Sequence, residues 1–272
     1  MVGRPEAHIP WSRRLTEYMR PSGLAKRLAL RLGVYPLARA IQRHLLDRDS
    51  LRRFQNEVAF FRALLPPGSL CFDVGANTGE KSEALIATGA QVVSFEPNPA
   101  VWDELNARCA KFAQWKFVPV ALGSAGGFMD LYARTRSTCS SLSSDWLGEV
   151  ERTYHVPVLT LDAAIAHFDV PHYCKIDVEG WELEVLRGLS EPISLLSFEY
   201  HTNDRGIDSA RSCLRMLREL ADCEANLIGP EQPVLRLAEW VSLPEFLKWF
   251  PGSGHDGAPG PYGDVFVRRV GQ

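Results

Sequence analysis

The chain has 272 residues, 46% of them apolar and 23% charged. That is the composition of a globular protein with a sizeable core, and it excludes disorder, a collagen-like repeat and a disulfide miniprotein. The net charge of -3 conceals an asymmetry: residues 1–55 carry 12 Lys and Arg against 4 Asp and Glu, leaving 18 against 29 for the rest.

This length suits one α/β domain with an appendage, so the division is placed between a basic helical extension, residues 1–55, and one domain, residues 56–272. In the extension, Leu24, Leu28, Leu30, Leu32, Leu37, Ile41, Leu45 and Leu46 recur with broadly helical spacing, punctuated by Pro21, Gly33 and Pro36. Two or three short basic helices follow from that, either packed on the domain, capping a substrate pocket or touching a membrane surface. There is no run of about 20 apolar residues and no secretory leader at the start, so a cytoplasmic protein is expected. The expected partner is a small molecule; no nucleic acid is expected. Cys71, Cys109, Cys139, Cys174, Cys213 and Cys223 show no CxxC spacing and read as buried thiols.

A helix over 51–65 ends at "PPG", after which strand-like and helical stretches alternate, the sign of a parallel sheet flanked by helices. Sheet strands are expected over 70–74, 91–96, 116–121, 173–178, 193–200, 225–229 and 264–268. Helices are expected over 80–88, 99–112, 181–188 and 208–221. Two further short strands, 128–133 and 156–160, flank the Ser/Thr-rich "RTRSTCSSLSSDW".

The stretch "LCFDVGANTGEKSEAL" is a strand, a turn with Gly75 and Gly79, and a helix, an arrangement that brings backbone N–H groups to the negative part of a ligand. A phosphate-binding P-loop is disfavoured because Glu80 precedes Lys81, and a dinucleotide fingerprint because Asn77 stands at its second glycine position. S-adenosylmethionine remains: its carboxylate would meet the loop's N–H groups, its ammonium Asp73, its ribose hydroxyls Glu96 at the end of "VVSFEPNP", and its adenine Ala121 and Leu122.

"DVGANTG", "FEPNP", "VALG", "KIDVEGWELEVLRG" and "LLSFEYH", in that order, resemble the FkbM-type methyltransferases, a branch of the class I S-adenosylmethionine-dependent enzymes. The resemblance implies a Rossmann-like, seven-stranded, mostly parallel sheet with helices on both faces and a reversed last hairpin. It implies O-methylation of a sugar or polyketide-like molecule, with Asp73, Gly75, Ala76, Asn77, Gly79, Glu96 and Asp177 as cofactor positions. Two other classes stay open beside it: a nicotinamide-dependent oxidoreductase of Rossmann type, and a non-catalytic membrane-associated binding module.

Methyl transfer to oxygen is an in-line displacement that needs an aligned acceptor and often a base. The fourth sheet strand delivers Lys175, Asp177 and Glu179, and the fifth delivers Glu199 and His201, in each case on one face. His201 is the first choice for the base, with a solvated loop histidine as the alternative. Glu199 stands beside it, and Glu179 either orients the acceptor or caps the next helix. No metal ligand set is assigned, although Asp177, Glu179 and Glu199 would suit a divalent cation such as magnesium, which the spacing does not require. Near the C-terminus, "FPGSGHDGAPGPYGD" reads as a substrate lid carrying His255 and Asp256 or as an ordinary loop.

Overall fold

The apolar runs Leu70–Val74 (β1) and Gln91–Phe95 (β2) are buried along nearly their whole length, as strands covered on both faces must be. In the computed structural model, residues 48–134, 139–146, 148–230, 233–250 and 261–271 are described. The basic helices expected in the extension fall mostly, and the lid residues His255 and Asp256 wholly, outside them. By contacts the chain divides into two units, Met1–Gln55 and Asn56–Gln272.

The helix α1 (Arg48–Leu64) leads into β1, followed by α2 (Glu80–Ala87), β2, α3 (Trp102–Cys109), β3 (Trp115–Val118) and β4 (Ala121–Leu122). Then come β5 (Gly127–Arg134), β6 (Val150–Leu159), α4 (Leu161–Phe168), β7 (Tyr173–Ile176), α5 (Glu182–Arg187), β8 (Leu195–His201) and α6 (Asp204–Leu220). The chain closes with β9 (Cys223–Ile228), β10 (Val241–Ser242), α7 (Leu243–Trp249) and β11 (Tyr262–Arg269). The main sheet has the order β10-β9-β11-β8-β7-β1-β2-β3. β3, β2, β1, β7 and β8 run parallel, and β11 enters antiparallel between β8 and β9, which is the expected reversed last hairpin.

The expected seven strands are present, but the sheet has eight, because Val241–Ser242 adds an edge pairing to β9. A two-residue strand has no periodicity to read. The expected strand over 116–121 also splits in two: after Val118 the chain leaves the main sheet, and Ala121 and Leu122 pair with Val158 and Leu159 in a second, three-stranded sheet, β4-β6-β5. β6 is longer than foreseen because its first residues are exposed and carry no apolar alternation. The unforeseen α4 is started by Thr160, whose Oγ1 accepts from Ala163 N at 3.1 Å. α7 contains Trp249 but not Trp240, which lies under the Arg268 guanidinium, 4.5 Å from the ring centroid.

One face of the sheet is apolar, with Phe72 and Phe95 5.2 Å apart edge to face and Ile176 and Phe198 beside them. The alternate residues carry a buried polar network instead. Ser82 Oγ donates to Asp73 at 2.5 Å and lies 2.6 Å from Ser94 Oγ, which accepts from Trp115 Nε1 at 2.8 Å. Lys81 pairs with Glu57 of α1. Cys71, Cys109, Cys174 and Cys213 are buried, and Cys139 and Cys223 are partly so. Among the described residues, no helix is long and apolar enough to cross a membrane. Because the five central strands are parallel, the ends of β1, β2, β7 and β8 gather on one edge, where open α/β sheets bind their ligands.

Candidate functional site

The turn after β1 is set by two close approaches. Gly75 (φ 83) and Ala76 both donate their N–H to Phe95 O, at 3.0 and 3.1 Å. A Cβ on Gly75 would sit 1.8 Å from the Asp177 carbonyl oxygen, so the glycine is dictated by how tightly the tips of β1 and β7 meet. Asn77, also left-handed at φ 48, donates its N–H to Glu96 Oε2 at 2.6 Å, and Asn98 N donates to Oε1 at 2.7 Å. Glu96 is thereby fixed with lone pairs to spare, while burial raises its pKa to about 7.

A cavity of about 620 Å³ opens above these tips, within the size range of small-molecule sites. Six of the cofactor candidates line it: Gly75, Asn77, Glu96, Ala121, Leu122 and Asp177. The remaining three do not. Asp73 is wholly buried beneath the loop, one oxygen held by Ser82 and the other without a protein partner. Ala76 is buried in the turn, and Gly79 packs against α3, where a Cβ would come within 2.7 Å of Leu105 Cδ1. All three catalytic candidates, Glu179, Glu199 and His201, line the same cavity, so the structure joins the two groups of candidates in one site.

Chain reversal after β7 uses two left-handed residues, Glu179 (φ 56) and Gly180 (φ 89). The strain at Glu179 is of a kind that clusters at functional sites. Glu179 does not cap the next helix, because Glu182 takes over that loop: its Oε1 accepts from Val178 N at 3.2 Å and Gly180 N at 3.1 Å. Glu179 Oε2 instead accepts from Trp146 Nε1 at 3.0 Å. The Trp146 ring covers Gly180, where a Cβ would fall 2.3 Å from Cε3, and meets the His201 ring edge-on at 5.0 Å between centroids.

Charge in this wall is heavily one-sided. Lys175 Nζ donates to Asp177 Oδ2 at 2.7 Å, and although burial works against it, this ammonium holds the Asp177 carboxyl below its ordinary value. Asp177 therefore belongs with Lys175. Burial, reinforced by the Asp177 charge, raises Glu179 to about 8; for Glu199, Glu179 adds to those two and the value reaches about 11. His201 Nε2 lies 3.1 Å from Glu199 Oε2, yet burial lowers the imidazole, with Asp177 opposing. The two shifts agree if Glu199 keeps its proton and gives it to the Asp177 carboxylate, while its Oε2 accepts from the Nε2–H of a neutral His201, which leaves the other ring nitrogen free around pH 7.

Oxygen and nitrogen atoms of Glu179, Glu199 and His201 all lie within 4.8 Å of one another, a spacing that three ligands of one cation would have. The trio differs from the three carboxylates that on sequence would suit a cation without being assigned one, since His201 takes the place of Asp177. Sequence reasoning also missed Trp181, Ser140, Cys139, Lys81 and Tyr262 in the cavity wall. Of these, Trp181 sits inside "KIDVEGWELEVLRG" and Tyr262 near the end of "FPGSGHDGAPGPYGD", stretches whose other residues drew the reading. The fit to the expected cofactor rests on unpaired polar atoms: Asn77 Oδ1 and Trp181 Nε1 belong to wall residues and are buried without a protein partner. An acceptor near the glycine loop suits an ammonium, and a donor beside Gly123, 3.5 Å from where its Cβ would stand, suits a heterocyclic nitrogen.

Residues 73–226 match the family described as the methyltransferase FkbM domain. The hexuronic acid methyltransferase AglP of Haloferax volcanii is 27% identical over 165 residues, which cover 58% of this chain and 66% of that protein. Among solved structures, a putative RNA methyltransferase of Pyrococcus horikoshii overlays with a TM-score of 0.40 at 12% identity, over 80% of this chain and 84% of that one. A TehB-like S-adenosylmethionine-dependent methyltransferase of Corynebacterium glutamicum gives 0.38 at 15%, over 79% and 86%. These overlays are too loose to bear on function. The family match, by contrast, takes in the glycine loop, Glu96 and the tips of β7 and β8, and it sets aside the nicotinamide reading of the same loop. With more than half of its length matched, the chain belongs to the FkbM methyltransferase family.

Proposed function

We propose that the protein is an S-adenosylmethionine-dependent O-methyltransferase of the cytoplasm whose acceptor is a hydroxyl of a small molecule, a sugar before a polyketide-like compound. The observation that carries the reading is the Glu199–His201 pair, 3.1 Å apart, in the wall of the cavity that Gly75, Asn77 and Glu96 also line. The name of the AglP relative, a hexuronic acid methyltransferase, favours the sugar.

When bound, S-adenosylmethionine supplies an electrophilic methyl group on a sulfonium. The protein's own part is to hold, align and take a proton. Asn77 and Glu96 offer oxygen acceptors at the loop end, and Ala121 and Leu122 an apolar wall. His201, neutral around pH 7, accepts the hydroxyl proton as the oxygen's nucleophilic lone pair is released. Glu199 keeps the ring oriented, and Glu179, protonated below about pH 8, donates to the acceptor while Trp146 shields the pair from water.

A cation held by Glu179, Glu199 and His201 is the second reading, favoured by their 4.8 Å spacing; it would lower the hydroxyl pKa directly. Incubation with S-adenosylmethionine and a panel of sugars and polyketide-like alcohols, with product masses read before and after EDTA, tests both. A gain of one methyl group that survives EDTA supports the base reading, and loss on chelation with recovery in magnesium supports the cation. No methylated product from any acceptor counts against the proposal.

A further inference from the structure

A second, smaller cavity of about 190 Å³ adjoins the first, and Glu199 and His201 belong to the walls of both. At about 30 Å³ per water this is room for roughly six waters, the scale of one small polyol ring. Its walls suit such a ring: Ser143 and Ser209 bring hydroxyls, and Trp146 brings an indole. Gly206 seats the first turn of α6 against the tip of β8, since a Cβ there would come within 2.6 Å of the His201 carbonyl oxygen.

Charge makes the pocket selective. Of its ionisable lining groups, Glu182 is committed to the backbone N–H groups of Val178 and Gly180, and Glu199 and His201 face the methyl-transfer chamber. Arg205 is the one permanent cation among the described lining residues. Its guanidinium stands 3.5 Å from Asp145, with both side chains about two-thirds exposed (67% and 68%). Such a pair is worth little in water and yields readily to a better-aligned carboxylate.

We infer that this smaller cavity seats the acceptor, and that the acceptor is an acidic sugar, a hexuronate. Its carboxylate pairs with Arg205 while a ring hydroxyl reaches Glu199 and His201. This rests on the methyl-transfer reading above and deepens it: the cofactor and the sugar occupy separate chambers, and the catalytic pair is their common wall. A neutral hexose would leave the guanidinium with its weak surface partner and gain nothing from it.

The test is calorimetric, on full-length protein, titrating glucuronate, glucose and glucose 6-phosphate with and without S-adenosylhomocysteine. Glucuronate is expected to bind the parent about two- to fivefold more tightly than glucose, the contribution of one charged pair near the surface. Arg205→Gln should erase that advantage and Arg205→Lys should keep part of it, with affinity for S-adenosylhomocysteine and for glucose unchanged in both. Equal binding of glucuronate and glucose by the parent would overturn the inference, as would an advantage that survives Arg205→Gln. Tighter binding of glucose 6-phosphate than of glucuronate would overturn the carboxylate assignment. A parent that fails to bind S-adenosylhomocysteine is a failure of the methyl-transfer reading alone, and the titrations without it still decide the pocket.

Discussion

The two ends of the large cavity are built on different principles. At the loop end, the chain makes its contacts with neighbours in sequence and with the adjoining strand: Gly75, Asn77 and Glu96 are fixed by backbone hydrogen bonds across β1 and β2. At the other end, Glu179 and His201 meet a tryptophan 33 residues upstream of Glu179, and Glu199 meets the His201 ring 3.1 Å away. A site made of local turns tolerates change outside it and fails when the turn itself is altered. A site made of side chains from distant elements loses function by degrees, which gives the comparison experimental content.

The largest effect is expected at the loop. Gly75→Val places a side chain against the Asp177 carbonyl and forces a branched residue to φ 83, so strain and overpacking together should cost about 2–6 kcal/mol. Urea unfolding measures this. The space beside Gly75 is filled by the chain at the tip of β7 and not only by a ligand, so stability falls along with cofactor binding. A variant as stable as its parent would show that the two tips do not meet as described.

Next is His201→Ala, which should lower turnover by about 10²- to 10⁴-fold, the usual contribution of a positioned base. Steady-state kinetics checks it, and most of the activity surviving would leave alignment as the mechanism. Trp146→Phe is milder. It keeps a ring over Gly180 but removes the N–H to Glu179, and about 0.5–1.5 kcal/mol, roughly two- to thirteenfold in turnover, is expected without change in cofactor affinity. If cofactor affinity moved instead, the two ends would not be separable.

Acid dependence sharpens the same contrast. Burial lowers His201, so with this residue as base the rate should rise with pH through a midpoint below the ordinary imidazole value of 6.5. With a cation as activator, Glu179 and Glu199, raised to about 8 and about 11, must give up their protons first, and the midpoint should move to about 8 or above. Stability runs the other way. Glu96, Glu179 and Glu182 have folded-state values raised to about 7, 8 and 7, so the stability they contribute is full below about pH 4.5 and is lost as pH rises through 7 to 8.

The same difference explains what could be read from the sequence. The loop end was legible because its signals are contiguous: a glycine turn after an apolar strand, and an acid at the tip of the next. The pairing of Glu199 with His201 was legible too, since alternate residues of a strand share a face. Trp146 was not, because "SLSSDW" has no periodicity and only the folded chain brings it over Gly180. Nor could spacing show that Gly79 packs on α3, that Asp73 lies beneath the cavity floor, or that Lys175 draws Asp177 out of the carboxylate trio. Those outcomes depend on three-dimensional competition for partners, which linear order does not encode.

The central claim is that cofactor and catalytic pair occupy opposite ends of one cavity, and titration of S-adenosylmethionine into the parent, Glu96→Ala and His201→Ala tests it most directly. Glu96→Ala should weaken binding by roughly 10- to 150-fold, the worth of hydrogen bonds to a charged group, with circular dichroism confirming the fold. His201→Ala should bind like the parent. Unchanged affinity in a folded Glu96→Ala, or an equal loss in His201→Ala, would contradict the account.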